Sequence, residues 1–253
     1  MKYPETRKSS KSILGKAINM LLEVEKINTF YGLSHILFDV SLNIDKGEVV
    51  VLLGRNGAGK TTTLLSIMGL NAPKTGAIRY QGREVMGLAP YKIARMGIGF
   101  VPEDRLIFPD LTVYANLDVG RKSLDGRKSK WTFDRIYKLF PVLKDFKDKP
   151  GGDLSGGQRQ MLTIARTLMG DPNLLLLDEP TEGLAPLIVK MLADFIETIK
   201  QEGMTVLLCE QNLKFALKHA DRAYIVDNGI IKYQGTINEL NQNTEIKKKY
   251  LAV

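Results

Sequence analysis

The chain has 253 residues, 44% hydrophobic and 25% charged, which suits one α/β domain with a modest subdomain and leaves little room for two full domains. No apolar run approaches the ~20 residues that cross a bilayer; the longest, such as Val50–Leu53 and Leu174–Leu177, have the length of core strands. The single cysteine, Cys209, excludes an internal disulfide framework and multi-cysteine metal clusters, and its apolar run Met204–Cys209 reads as a buried strand in a reducing compartment.

The formal charge of +8 raises nucleic acid or an anionic membrane surface as partners. Residues 1–20, however, set Lys2, Arg7, Lys8, Lys11 and Lys16 against Glu5 alone, so half of the surplus lies in a basic N-terminal arm. The arm lacks the apolar stretch of a signal peptide and reads as a solvated tail, or one that brushes anionic lipid. No nucleic-acid partner is expected of the remainder. Met20 heads a strand-like start, Leu21-Leu22-Glu23-Val24, and is an alternative initiation point.

Short strands are expected at Leu21–Ile27, Ile36–Ile44 and Glu48–Leu53. The alternation in Phe38–Ile44 indicates one wet face, whereas Val49–Leu53 is apolar throughout, as in a central parallel strand covered on both sides. Directly after it, Gly54-Arg55-Asn56-Gly57-Ala58-Gly59-Lys60-Thr61 fits G-x-x-x-x-G-K-[ST], and Thr62–Met68 continues as a helix. Glycines let the backbone turn its N–H groups around phosphates, and the helix N-terminus adds its positive end. Gly54 to Thr62 are therefore the candidate ATP-binding segment, with Lys60 reaching the β- and γ-phosphates and Thr61 ligating Mg²⁺.

From about residue 90 to 170 the pattern turns helical (Val113–Val119, Phe133–Phe140, Gln158–Met169), with a basic loop at Gly120–Lys130. Strand and helix then alternate through Leu174–Asp178, Leu187–Gln201, Met204–Cys209, Leu213–His219 and Ala223–Val226. This predicts an α/β fold: a P-loop core with a mostly parallel sheet, antiparallel strands at its N-terminal side and an inserted α-helical subdomain, all within 21–253. Four leucines deliver Asp178 and Glu179 to the C-terminal edge of that sheet, where α/β folds place ligands. Asp178 is the expected Mg²⁺ anchor, and Glu179 the residue that orients the attacking water.

Leu154-Ser155-Gly156-Gly157-Gln158 supplies a second glycine loop at a helix N-terminus, between the other two motifs. With it the sequence resembles the ABC ATPases from Leu21 onward. The resemblance implies a head-to-tail dimer in which Leu154, Ser155, Gly156, Gly157 and Gln158 of one subunit close over the γ-phosphate held by the other. It also implies that Tyr31 stacks on adenine, and that Glu103 occupies the metal-proximal position where glutamine is usual. Gln211 stands where the family commonly has its γ-phosphate-sensing histidine, and Ala185 where an aspartate is usual. Glutamine donates a hydrogen bond but does not titrate, so the ATPase rate is expected to lack a histidine inflection between about pH 6 and 7.5. His35 and His219 read as structural or surface residues.

Val101-Pro102-Glu103-Asp104-Arg105, Ile107–Val113, Glu182-Gly183-Leu184-Ala185-Pro186 and Glu210-Gln211-Asn212 are similar to the LivF-type ATP-binding subunits of branched-chain amino acid importers. This implies a peripheral subunit at the cytoplasmic face of the plasma membrane, with a second ABC ATPase subunit, two transmembrane permeases and, indirectly, an extracytoplasmic solute-binding protein. Permeases would meet the surface around Glu103–Leu117. Urea or amide importers, export systems and soluble ABC ATPases are the alternatives, and a degenerate regulatory cassette conflicts with the intact Lys60, Asp178 and Glu179.

Overall fold

The computed structural model describes residues 19–122 and 129–251; the arm before Asn19 and part of the predicted basic loop lie outside the described residues. β1 (Met20–Tyr31) and β2 (Ser34–Asp45) form a hairpin over Gly32-Leu33, with Gly32 in the left-handed conformation at φ 59°. β3 (Val49–Leu53) leads into α1 (Lys60–Ile67), and β4 (Thr75–Tyr80) and β5 (Arg83–Glu84) complete a four-stranded antiparallel sheet in the order β2-β1-β4-β5.

α2 (Pro90–Met96) begins with proline, whose missing N–H costs nothing in a first helical turn, and ends at Gly97 with φ 110°. β6 (Ile98–Val101) follows. The helical part then comprises α3 (Val113–Val119), α4 (Phe133–Leu139), α5 (Pro141–Asp145) and α6 (Gly156–Met169). Thr112, Thr132 and Ser155 cap three of these helices by accepting an N–H of the first turn. β7 (Leu174–Asp178), α7 (Pro186–Gln201), β8 (Thr205–Glu210), α8 (Leu213–His219), β9 (Arg222–Asp227) and β10 (Ile230–Thr236) finish the main sheet; α9 (Ile237–Gln242) and α10 (Thr244–Leu251) follow it.

The main sheet runs β10-β9-β3-β8-β7-β6, parallel throughout except for the β9–β10 pair. The period-two geometry of its strands divides their apolar residues between two cores. Val49, Val51, Leu53, Leu175, Leu177, Val206 and Leu208 face α6, α7 and the helical part. Val50, Leu52, Leu174, Leu176, Leu207 and Cys209 face α1 and the antiparallel sheet. Cys209 is the buried strand residue expected, and burial holds its thiol well above the ordinary range.

The expected fold class is present. The first two strands run past their expected ends, to Tyr31 and Asp45, and Ile98–Val101, within the stretch read as helical, is an edge strand hydrogen-bonded to β7. Four residues containing a glycine give little strand signal. The glycine is needed by packing, since a Cβ on Gly99 would lie 2.8 Å from Cγ2 of Thr167.

Gly229 joins three parts of the molecule. Its N–H donates to the Ala58 carbonyl at 2.9 Å, and its carbonyl accepts from the Phe38 N–H at 2.8 Å, tying the loop before α1 to β2. Its φ is 72°, and a Cβ there would lie 1.8 Å from the Ile36 oxygen. Gly229→Ala is therefore expected to cost about 2–4 kcal/mol, combining left-handed strain with an overpacked contact. Urea unfolding checks this; a loss below 0.5 kcal/mol, roughly the scale of an ordinary surface substitution, would contradict it.

Candidate nucleotide site

The loop from Gly54 to Lys60 is held by close packing. A Cβ on Gly54 would sit 2.5 Å from the Val226 carbonyl oxygen, and one on Gly59, at φ 112°, 2.8 Å from Leu37. Gly57 has φ 76° and open space beside it, so backbone conformation is what requires glycine there. Gly59 is the N-cap of α1 and contributes no side-chain cap, which leaves first-turn N–H groups of α1 for a ligand.

Lys60 is almost fully buried. Its Nζ donates to the carbonyls of Gly54 at 2.8 Å and Arg55 at 3.0 Å, and pairs with Glu179 Oε1 at 2.9 Å. Glu179 has a left-handed backbone, φ 42°, with its N–H donating to the Cys209 carbonyl at 3.0 Å. Such a conformation in a non-glycine residue is uncommon and is kept only where the surroundings impose it. Burial pushes the Glu179 carboxyl upward, but hydrogen bonds from Lys60 and Gln211 outweigh it and hold the group below its usual range. Gln211 Nε2 donates to Glu179 Oε2 at 2.5 Å and also to the Asn56 side chain.

Asp178, 1% exposed, accepts the Thr61 hydroxyl at 3.2 Å through Oδ1, while its buried Oδ2 has no hydrogen-bond partner. Burial pushes it up to about 6, with Thr61 opposing and the charges of Glu179 and Glu103 adding to the rise. Glu182 is raised to about 7, mainly by its hydrogen bond with Glu179 and next by burial. A carboxyl that titrates near neutrality thus stands beside Glu179, a feature that the reasoning from histidines did not anticipate.

Tyr31, Asn56, Gly57, Gly59, Lys60, Thr61, Thr62, Glu103 and Glu179 line one cavity of about 420 Å³, with Ile36. Tyr31 is half exposed at its edge, so it is not a core tyrosine. A larger cavity, about 690 Å³, opens at the opposite edge of the sheet around Met20, Lys46, Asp171 and Gly203, and contains no residue of the three motifs. Size alone would have selected the wrong one.

The signature segment lies outside the Lys60 cavity. The Ser155 Oγ accepts from Gln158 N–H at 3.3 Å, and Gln158 Oε1 accepts from Ser155 N–H at 2.8 Å, a reciprocal cap on α6. Gly157 lies so close to α7 that a Cβ would meet Ile188 at 2.8 Å. His35 stacks on Phe30 and accepts or donates a bond to Asn28, and His219 is buried beside Phe215; neither approaches the cavity. Glu182, Glu210 and Arg105 stand in segments that carry the resemblance, but no role follows for them from the sequence; the Arg105 guanidinium donates to the Glu182 carbonyl. Their local pattern does not tell which of them is buried or bonded; the fold brings them to the site.

A phosphate-binding loop, a paired Asp-Glu strand end and a remote glycine signature on one α/β core define an ATP-binding cassette. The ABC transporter family profile matches residues 37–182, and the chain belongs to that family as one of its ATP-hydrolysing members. It is 44% identical over 232 residues, 92% of this chain and 100% of the relative, to the high-affinity branched-chain amino acid transport ATP-binding protein BraG of Pseudomonas aeruginosa. It is 36% identical to the probable branched-chain amino acid transport ATP-binding protein LivF of Archaeoglobus fulgidus, covering 92% and 99% of the two chains. The lipopolysaccharide export ATP-binding protein LptB of Escherichia coli K12 is 37% identical, covering 85% and 90%. Among solved structures, an ATP-binding subunit of an ABC transporter superposes with a TM-score of 0.80 at 28% identity, covering 92% and 96%. An ATP-binding cassette in its ADP conformation gives 0.75 at 25% identity, covering 90% and 97%.

The raised Asp178 pKa has a consequence for stability. The folded state holds this proton up to about pH 6, whereas an unfolded aspartate releases it near 3.8, so stability falls as pH rises between those values. Without nucleotide and in chelator, Asp178→Asn is expected to match the parent near pH 4 and to exceed it by up to about 3 kcal/mol above pH 6. Denaturant melts across that range test this, and equal pH dependence of the two proteins would contradict it.

Proposed function

We propose that the chain hydrolyses MgATP at sites shared between two ATPase subunits and so drives uptake of branched-chain amino acids through separate permeases at the cytoplasmic face of the membrane. The observation that carries the chemistry is Glu179, held between Lys60 at 2.9 Å and Gln211 at 2.5 Å at the rim of the phosphate loop. The solute class rests on the full-length match to BraG.

On this reading the N–H groups of Gly54–Thr62 and the Lys60 ammonium hold the triphosphate, and Tyr31 takes the adenine. Glu179, kept ionised by its two donors, orients and deprotonates the attacking water, and Gln211 donates to the γ-phosphate. The residues suit Mg²⁺: Thr61 and Asp178 adjoin, and the orphaned Asp178 Oδ2 is the acceptor that a metal-bound water needs. Glu103 stands across the same cavity as a further oxygen donor. Thr61, Asp178 and Glu103 would hold the ion, directly or through water, and the ion would neutralise charge on the substrate phosphates. Leu154–Gln158 would serve the ATP of the partner subunit, a homologous or second ABC ATPase. Glu179→Gln is expected to lower turnover at least about 100-fold while ATP still binds. Turnover within threefold of the parent would defeat this assignment.

No helix among the described residues is long and apolar enough to cross a membrane. On this reading the solute passes through separate permease subunits. Their docking surface is a groove of about 500 Å³ between the end of α1, α2 and α6, flanked by Phe108 and Val119. Leu70, Tyr91, Phe108 and Val119 are each exposed by about half of their surface, an apolar patch beside the Glu103 segment. Phe108→Glu is expected to abolish co-purification with the permeases and lower solute uptake at least about tenfold, while nucleotide affinity stays within twofold. Unchanged uptake would remove this surface from the proposal. The match to LptB favours one rival, an export role; co-purification with importer permeases and a solute-binding protein, as against export permeases, separates the two.

A further inference from the structure

Glu210 ends β8 one residue before Gln211 and is 2% exposed. Its carboxylate accepts four hydrogen bonds. On Oε1 they come from the Thr181 hydroxyl at 2.7 Å and the Thr181 N–H at 3.3 Å; on Oε2 from the N–H groups of Gln211 at 3.2 Å and Asn212 at 3.1 Å. Three of the four donors are backbone N–H groups, which cannot reverse their role, and two of them share Oε2. Burial pushes its pKa up, while the Thr181 and Asn212 donors bring it down, and no cation is among the causes acting on it. A buried charge held only by hydrogen bonds is costly and persists where the surroundings require it.

The donors belong to two different loops. Thr181 lies two residues after Glu179, in the turn where Glu182 N–H donates to the Glu179 carbonyl at 3.1 Å. Gln211 and Asn212 form the turn after β8, which Asn212 completes by capping α8 through the Phe215 N–H at 3.1 Å. Only across the gap between these loops do Glu179 and Gln211 meet. Glu179 also holds a left-handed backbone that its own sequence does not favour.

We propose that Glu210 is a positioning residue for ATP hydrolysis: its buried carboxylate bolts the turn bearing Glu179 to the turn bearing Gln211, so that both reach the γ-phosphate together. It is not among the residues that line the Lys60 cavity. Its carboxylate makes no bond to the phosphate loop or to Lys60, so its loss is expected to act on the chemical step far more than on nucleotide binding. The inference rests on the assignment of Glu179 and Gln211 made above.

Glu210→Gln keeps the volume but turns an amide NH₂ toward backbone N–H groups, breaking one side of the bolt. The test measures steady-state ATPase activity and nucleotide affinity of the full chain for Glu210→Gln, Thr181→Val and Glu179→Gln. Expected for Glu210→Gln is a fall in kcat of at least about tenfold, with KM and nucleotide Kd within threefold, the mark of an interaction that acts in the transition state only. Thr181→Val, which loses one donor at nearly constant volume, should show the same split with a smaller fall, about threefold to tenfold. The two substitutions combined should cost less than the product of their separate effects, since they break one connection. A kcat within twofold of the parent in both single variants overturns the proposal, as does a parallel loss of kcat and nucleotide affinity. Should Glu210→Gln fail to fold, Thr181→Val decides by the same criteria. Glu179→Gln separates the premises: if it turns over normally, the assignment of Glu179 fails; if it is inactive while Glu210→Gln is normal, only the role of Glu210 fails.

Discussion

The register of three buried parallel strands is the constraint on which the site depends. In β3, β7 and β8, Leu53 pairs with Glu210 and Asp178 with Cys209, so the three strands end within one residue of each other. One releases the phosphate loop, one Asp178 and Glu179, and one Glu210 and Gln211. A slip of one residue would send every apolar side chain of a strand to the wrong core and its terminal carboxylate to the wrong face. The two cores, which take alternate residues of the same strands, enforce that register from both sides. Hydrophobic burial, which has no chemical role here, is thus what sets the position of the polar groups.

Those polar groups are unequally matched in charge. One buried ammonium, Lys60, faces Glu179 directly and stands near Asp178, while Glu103 and Glu182 add further negative charge. The excess is relieved by protons: Asp178 and Glu182 hold theirs to about pH 6 and 7, which leaves Glu179 ionised. A site of this kind favours an incoming cation or donor set that replaces those protons.

How far the sequence disclosed this follows from how local each signal is. The phosphate loop, the Asp178-Glu179 strand end and the signature are contiguous, and each needs particular residue types at fixed offsets, so all three were legible. The helices Val113–Val119 and Leu213–His219 occur at the residues expected, because their apolar periodicity is uninterrupted. The strand Ile98–Val101 was not legible: it exists because Leu174–Leu177 offers it an edge, and four residues carry no period of their own. Glu210 and Glu182 look alike in sequence, as acids beside a motif. Only the fold makes one a buried acceptor of four bonds and the other an exposed carboxyl hydrogen-bonded to Glu179. For the same reason the pH behaviour of the site could not be read from the positions of His35 and His219.

The Gly229 bridge has a consequence for ligand choice. Tyr31 sits on the hairpin that includes β2, and β2 is fastened through Gly229 to Ala58 in the phosphate loop. The backbone of that hairpin is therefore held to the loop by main-chain hydrogen bonds, and the Tyr31 ring moves only about its own side-chain torsions. If Tyr31 takes the adenine as proposed, this main-chain link sets how far the base end of the nucleotide stands from the loop that takes its phosphates.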